Sequence, residues 1–123
     1  MKYAIAAIGV MVILSAAMAH GAIKTENVEY RVGDTTFKSV VVYDDAGSAK
    51  RPGIVVYPEW WGLNDYAKHR ARMLAELGFV AMAVDLFGNG QTTEDAATAG
   101  KWAGALKADR KVLRERANAG LEQ

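Results

Sequence analysis

Ile54-Val55-Val56-Tyr57-Pro58-Glu59-Trp60-Trp61-Gly62-Leu63-Asn64 decides how the rest of the chain is read. Its first four residues are apolar without alternation, the pattern of a strand covered on both faces. Residues 65–77 place Ala67, Arg70, Met73, Leu74 and Leu77 at spacings of three and four, with Gly78 directly after as a left-handed stop. Asn64 is placed to cap that helix, and Asp65 puts a negative charge in its first turn. Residues 79–84, Phe79-Val80-Ala81-Met82-Ala83-Val84, then repeat the continuously apolar character. Strand, helix and strand make a βαβ unit with parallel strands. The loop at residues 57–64 therefore lies at the carboxyl end of a parallel sheet, where such folds keep their sites.

Upstream, residues 28–43 alternate in two runs broken by Gly33-Asp34, which predicts an antiparallel hairpin at a sheet edge. A polar connection follows, and Pro52 sets the earliest start of the next strand because it cannot donate a ladder hydrogen bond. The amino terminus is of another kind. Lys2 precedes an apolar run at residues 4–14, and Ala17 and Ala19 form an A-x-A arrangement. That is the layout of a secretory signal peptide, residues 1–19, cut before His20, with the periplasm or exterior as destination. A retained anchor is the alternative, but a spanning helix needs roughly 20 apolar residues.

Downstream, Asp85-Leu86-Phe87-Gly88-Asn89-Gly90-Gln91 is a glycine-containing loop at the same end of the sheet. Thr92 and Asp95 have capping-box spacing and open a short helical segment. Residues 101–121 carry Trp102, Leu106, Val112, Leu113, Ala117 and Leu121 on one stripe and predict a second long helix. A further strand is expected beside residues 79–84, and the sequence ends before supplying it. An open edge there invites self-association.

The 123 residues suffice for one small domain, and 51% hydrophobic with 24% charged content describes an ordinary globular chain. A net charge of +1, spread without basic blocks, argues against nucleic acid as a partner. The absence of Cys excludes disulfides, thiolate metal sites and a cysteine nucleophile within these residues. His20 and His69 alone cannot build an all-histidine zinc site, and no cofactor is implied.

Glu59 is the sharpest single candidate. At the end of a covered strand a carboxylate is removed from water, which favours its protonated form. It is then either an active-site acid or a cap on backbone amides of the turn at residues 60–64. Trp60 and Trp61 either wall an apolar cleft, with backbone N–H groups toward an oxyanion, or simply pack. Asp85 is placed as a functional acid or as the centre of an Asx turn. His69 reads as a surface residue, and Gly88-x-Gly90 lacks the third glycine of a dinucleotide motif. None of Ser15, Ser39 or Ser48 stands in a G-x-S-x-G context.

Residues 51–64, with their Glu59-Trp60-Trp61-Gly62-Leu63-Asn64 segment, and residues 74–88, with Val84-Asp85-Leu86-Phe87-Gly88, together resemble two blocks of the dienelactone hydrolase family. The resemblance implies a partial α/β-hydrolase fold over residues 20–123: an edge hairpin, a parallel βαβ unit and a following helix, stopping before the nucleophile strand. It implies a carboxylic-ester or lactone hydrolase acting on a small molecule. Glu59 matches the glutamate that contacts the nucleophile, and Trp60 matches the residue whose N–H supplies half of the oxyanion hole. Trp61, Asp85 and Phe87 match positions that border the substrate. The family's nucleophile, acid and histidine fall beyond the matched residues, which predicts an amino-terminal half that is inactive alone. The other reading is a non-catalytic secreted binding or assembly domain.

Overall fold

Residues 53–56 and 80–83 do form parallel neighbours. The computed structural model describes residues 21–47 and 49–123, so the leader expected at residues 1–19 lies outside the described residues. Strands β1 (Ile23–Val32) and β2 (Thr35–Asp44) precede β3 (Gly53–Val56), and helix α1 (Asp65–Glu76) leads to β4 (Val80–Ala83). Two helices follow, α2 (Ala96–Ala108) and α3 (Arg110–Leu121). β3 and β4 pair from Gly53 opposite Val80 to Val56 opposite Ala83. The β1–β2 hairpin turns on two residues between Val32 and Thr35, and β2 continues antiparallel to β4 through Val40 opposite Ala83. The result is a mixed four-stranded sheet in the order β1-β2-β4-β3, the first part of an α/β-hydrolase topology.

That order corrects one expectation. β4 has a neighbour on each side, so no place is open beside it; in the parallel pair it is β3 that lies at an open edge. Hydrophobic patterning marks a strand as interior but does not say which strand borders it, and here β2 takes the place expected for a later strand. The same fact corrects the burial of β3. Ile54, Val55 and Val56 are only half-buried, because nothing covers their outer side among the described residues.

Helix α1 is bounded as its signals predict. The Asn64 side chain accepts from the Ala67 N–H at 3.1 Å. At the other end Gly78 adopts φ 93. The Gly78 and Phe79 amides reach back to the carbonyls of Ala75 and Leu74 at 2.9 and 3.2 Å, a Schellman closure. Its buried face differs from the expected one. Ala67, Ala71 and Ala75 meet Val40, Val42, Ala81 and Ala83 of the sheet, while Arg70 is exposed and Leu77 is 74% exposed. Alanine at every fourth position lets the helix approach the sheet closely, which larger residues on that face would prevent.

The single helix expected over residues 101–121 is two. Asp109 breaks it at φ −111, ψ 86, and its side chain accepts from the Lys111 and Val112 amides, capping α3. α2 starts at a cap three residues later than the Thr92 signal suggests: Asp95 accepts from the Thr98 amide at 2.8 Å. α3 covers the sheet face opposite α1. A Cβ on Gly120 would stand 2.7 Å from Val84 Cγ1, so α3 can seat here only through a glycine. Among the described residues no helix is long and apolar enough to cross a membrane.

Candidate active site at the carboxyl ends of β3 and β4

Two loops leave the parallel strands at the same end, residues 57–64 after β3 and residues 84–95 after β4. They are fastened to each other. The Thr93 amide donates to the Trp61 carbonyl at 3.1 Å. Gly62, at φ 85, brings its Cα so near the second loop that a Cβ would lie 2.3 Å from the Gln91 carbonyl oxygen. Only glycine offers both that dihedral and that approach. Within the first loop the Gly62 amide turns back to the Glu59 carbonyl at 3.3 Å.

Glu59 is exposed, against the expectation of a carboxylate removed from water. The physical reason is the edge position of β3: a strand end is dry only when both its flanks are covered. Nor does the carboxylate cap the turn. Among the described residues it has no hydrogen-bond or ion-pair partner, and it is the Glu59 carbonyl that accepts from the turn. The side chain borders a groove of about 250 Å³ along the β3 edge, with Tyr57, Pro58, Tyr66, Ala67, Arg70 and Leu74.

Trp60 and Trp61 meet edge to face, with ring centroids 4.9 Å apart and planes at 62°. The Trp60 ring also lies against α2, where a Cβ on Gly100 would be 3.7 Å from it, yet the residue stays 41% exposed. Among the described residues no acceptor takes the backbone N–H of Trp60 or Trp61. The loop therefore offers a free carboxylate and adjacent unpaired N–H donors at one end of the sheet. That combination can hold a proton-bearing group and an anionic oxygen.

Asp85 is fully buried. Its Oδ2 accepts from the Lys38 and Gly90 amides at 3.1 and 2.8 Å, and its Oδ1 from the Gly88 amide at 2.8 Å. Its own amide donates to Ser39 Oγ at 2.9 Å. Of its two sequence readings, the structure displays the loop-organising one, and no part of the carboxylate faces solvent. Phe87 is buried too, its ring 5.6 Å from that of Trp102, in a groove separate from the one at Glu59. So Glu59, Trp60 and Trp61 come together on one loop, Asp85 sits beneath the neighbouring loop, and Phe87 faces elsewhere.

Two contributors escaped the sequence reading. Arg116 of α3 donates to the carbonyls of Leu86 and Phe87 at 3.1 and 3.2 Å, and its guanidinium carbon lies 5.3 Å over the Phe37 ring. A cation between Val112, Leu113 and Ala117 on the apolar stripe was the available signal. Ser39 buries its hydroxyl within the strand, near the Tyr30 phenol at 3.4 Å. Burial pushes the Tyr30 phenol upward, the Ser39 hydrogen bond acts against it, and the Asp85 carboxylate adds to the rise.

Residues 37–122 match the sequence profile of the dienelactone hydrolase family. The chain belongs to that family. Among solved structures, the protein m3DLH is 40% identical with a TM-score of 0.79 over 83% of this chain. A dienelactone hydrolase-like promiscuous phosphotriesterase from metagenomic libraries is 43% identical with a TM-score of 0.78, again over 83% of this chain. The chain spans 42% of the length of each of these two proteins. None of the curated proteins compared matches it. A dienelactone hydrolase fold thus accounts for the arrangement of β1 to α3. Among the described residues, no group of three His, Asp or Glu side chains is placed to hold a metal ion.

Proposed function

We propose that this chain supplies the Glu59–Trp60 part of an ester or lactone hydrolase site of the dienelactone hydrolase type. The observation that carries it is the unpaired Trp60 N–H beside the unpaired Glu59 carboxylate, on the loop that closes the parallel pair. In this reading a Cys or Ser nucleophile from outside these residues attacks the carbonyl carbon of a small ester or lactone. The carbonyl oxygen becomes an oxyanion and accepts from Trp60 N–H, and Glu59 holds the nucleophile's proton until attack. The C–O bond to the alcohol then breaks as the departing oxygen takes up that proton, and water releases the acid from the acyl intermediate and returns a proton to the nucleophile. Trp61 forms part of the near wall of the substrate cleft.

A chimera joining residues 21–123 to the complementary portion of m3DLH tests this. It is expected to hydrolyse an activated aryl ester, and Glu59→Gln in the chimera to lower kcat/KM by about 100-fold. A folded chimera on which that substitution has no effect contradicts the assignment. An aryl phosphotriester belongs in the same substrate panel, given the promiscuous phosphotriesterase among the relatives.

The proposal extends to location and assembly. Residues 1–19 act as a leader, and the mature protein begins at His20 in the periplasm or exterior; mass spectrometry of the secreted protein checks this, and a retained Met1 in that compartment contradicts it. No nucleic acid and no membrane enter the proposal as partners. Expressed as it stands, the chain self-associates through the β3 edge, where four strand residues lie between Pro52 and Pro58 with Tyr57, Tyr66 and Leu77 exposed nearby. Prolines at both ends keep the pairing short and the association weak. Weight-average mass by sedimentation should rise across the micromolar range; a monomer throughout that range overturns it.

A further inference from the structure

A second groove, of about 350 Å³, lies between the loop after β4 and the bend from α2 to α3. Phe87, Trp102, Leu106 and Val112 give it apolar walls, and Arg116 and Asp109 are the charged residues lining it. Arg116 Nη1 uses its two hydrogens on the Leu86 and Phe87 carbonyls. Among the described residues its Nη2 and Nε have no acceptor, and no carboxylate is paired with it. The guanidinium is nonetheless held in place by those two carbonyls and by the Phe37 ring. A pre-positioned cation loses little freedom when it binds an anion, and a planar fork with one side unused fits the two oxygens of a carboxylate. Asp109 does not neutralise it. Its carboxylate caps α3 through the Lys111 and Val112 amides, and seven residues separate it from Arg116, about 10 Å along a helix.

We propose that this groove binds an apolar monocarboxylate carrying a single ring, with the carboxylate on the free side of Arg116 and the ring against Phe87 and Trp102. The volume lies at the lower end of the range for small-molecule sites, about 300–1,000 Å³, which suits one ring and a short chain. The inference does not rest on the hydrolase reading, since neither Glu59, Trp60 nor Trp61 lines this groove.

The test is a titration of the full chain with 3-phenylpropionate, followed by NMR at the Trp102 indole N–H, beside 3-phenylpropionamide and inorganic phosphate. The acid should shift Trp102 with a Kd of ~1 mM, the amide should bind at least about tenfold more weakly, and phosphate alone should leave Trp102 unmoved. Ala105→Phe, at an exposed position lining the groove, should abolish the shift with Arg116 intact. Arg116→Gln should remove the preference for acid over amide. Should that variant fail to fold, the acid–amide comparison and Ala105→Phe decide without it. Equal binding of acid and amide, shifts at Trp60 or Trp61 in place of Trp102, or binding retained in Ala105→Phe each overturn the proposal.

Discussion

Replacing Asp85 by alanine should lower the unfolding free energy by about 3–5 kcal/mol, read from the urea midpoint at constant m-value. The carboxylate takes three backbone amides, from Lys38 of β2 and from Gly88 and Gly90 of the loop after β4. Each hydrogen bond to a charged group contributes roughly 1.5–3 kcal/mol, and amides left without an acceptor in the interior cost more than the bonds were worth. Gly88 is buried, so water cannot replace Asp85 there without the loop opening. Asp85→Asn keeps one acceptor oxygen and should cost about half as much. A domain's total stability is about 5–15 kcal/mol, so the alanine variant should leave a visible unfolded population. A loss below about 1 kcal/mol would mean that the loop amides find other partners and that Asp85 does not organise this end of the sheet.

The parallel pair, its connecting helix and the hairpin were legible because each follows from a local rule. Continuous apolar runs mark β3 and β4, Asn64 and Gly78 bound α1, and Gly33-Asp34 turns β1 into β2. What escaped depends on neighbours that no local rule supplies. The place of β2 beside β4 leaves β3 at the edge, and that alone makes Glu59 exposed, contrary to its apolar surroundings in sequence. The buried face of α1 was displaced toward its larger residues because alanine contributes little to a hydrophobic pattern, though Ala67, Ala71 and Ala75 are what the sheet admits. Asp109 interrupts a stripe that reads smoothly through it, since a cap is a matter of one dihedral pair and two amides. The loop carrying Glu59, Trp60 and Trp61 was marked by its place after a parallel strand, and resemblance to the family added the role expected of each residue. Arg116 was missed because its partners are carbonyls of another element, which leave no trace in spacing.

The second large effect concerns catalysis: these residues alone should not turn over esters at an enzyme-like rate. Hydrolysis of this kind needs an activated nucleophile, a base to accept its proton and paired oxyanion donors. The chain has no Cys. Ser39 is buried with its hydroxyl committed to the Asp85 amide. His69 is exposed on α1, and Ser39, the one serine among the described residues, is not hydrogen-bonded to it. What the proposed assignment finds within this chain is one carboxylate and one oxyanion donor, the Trp60 N–H, and loss of a single oxyanion donor from a complete site already costs on the order of 3 kcal/mol in the transition state. Glu59 acting as a base on water would lack both a second donor and an acid for the leaving group. The decisive measurement is therefore turnover of an activated aryl ester by purified residues 20–123, with Glu59→Gln alongside. A supporting carboxylate and half an oxyanion hole predict no saturable activity above the substitution's background. Saturable turnover at about 1 s⁻¹ or faster, abolished by Glu59→Gln, would contradict that account and place a complete catalytic centre within these residues.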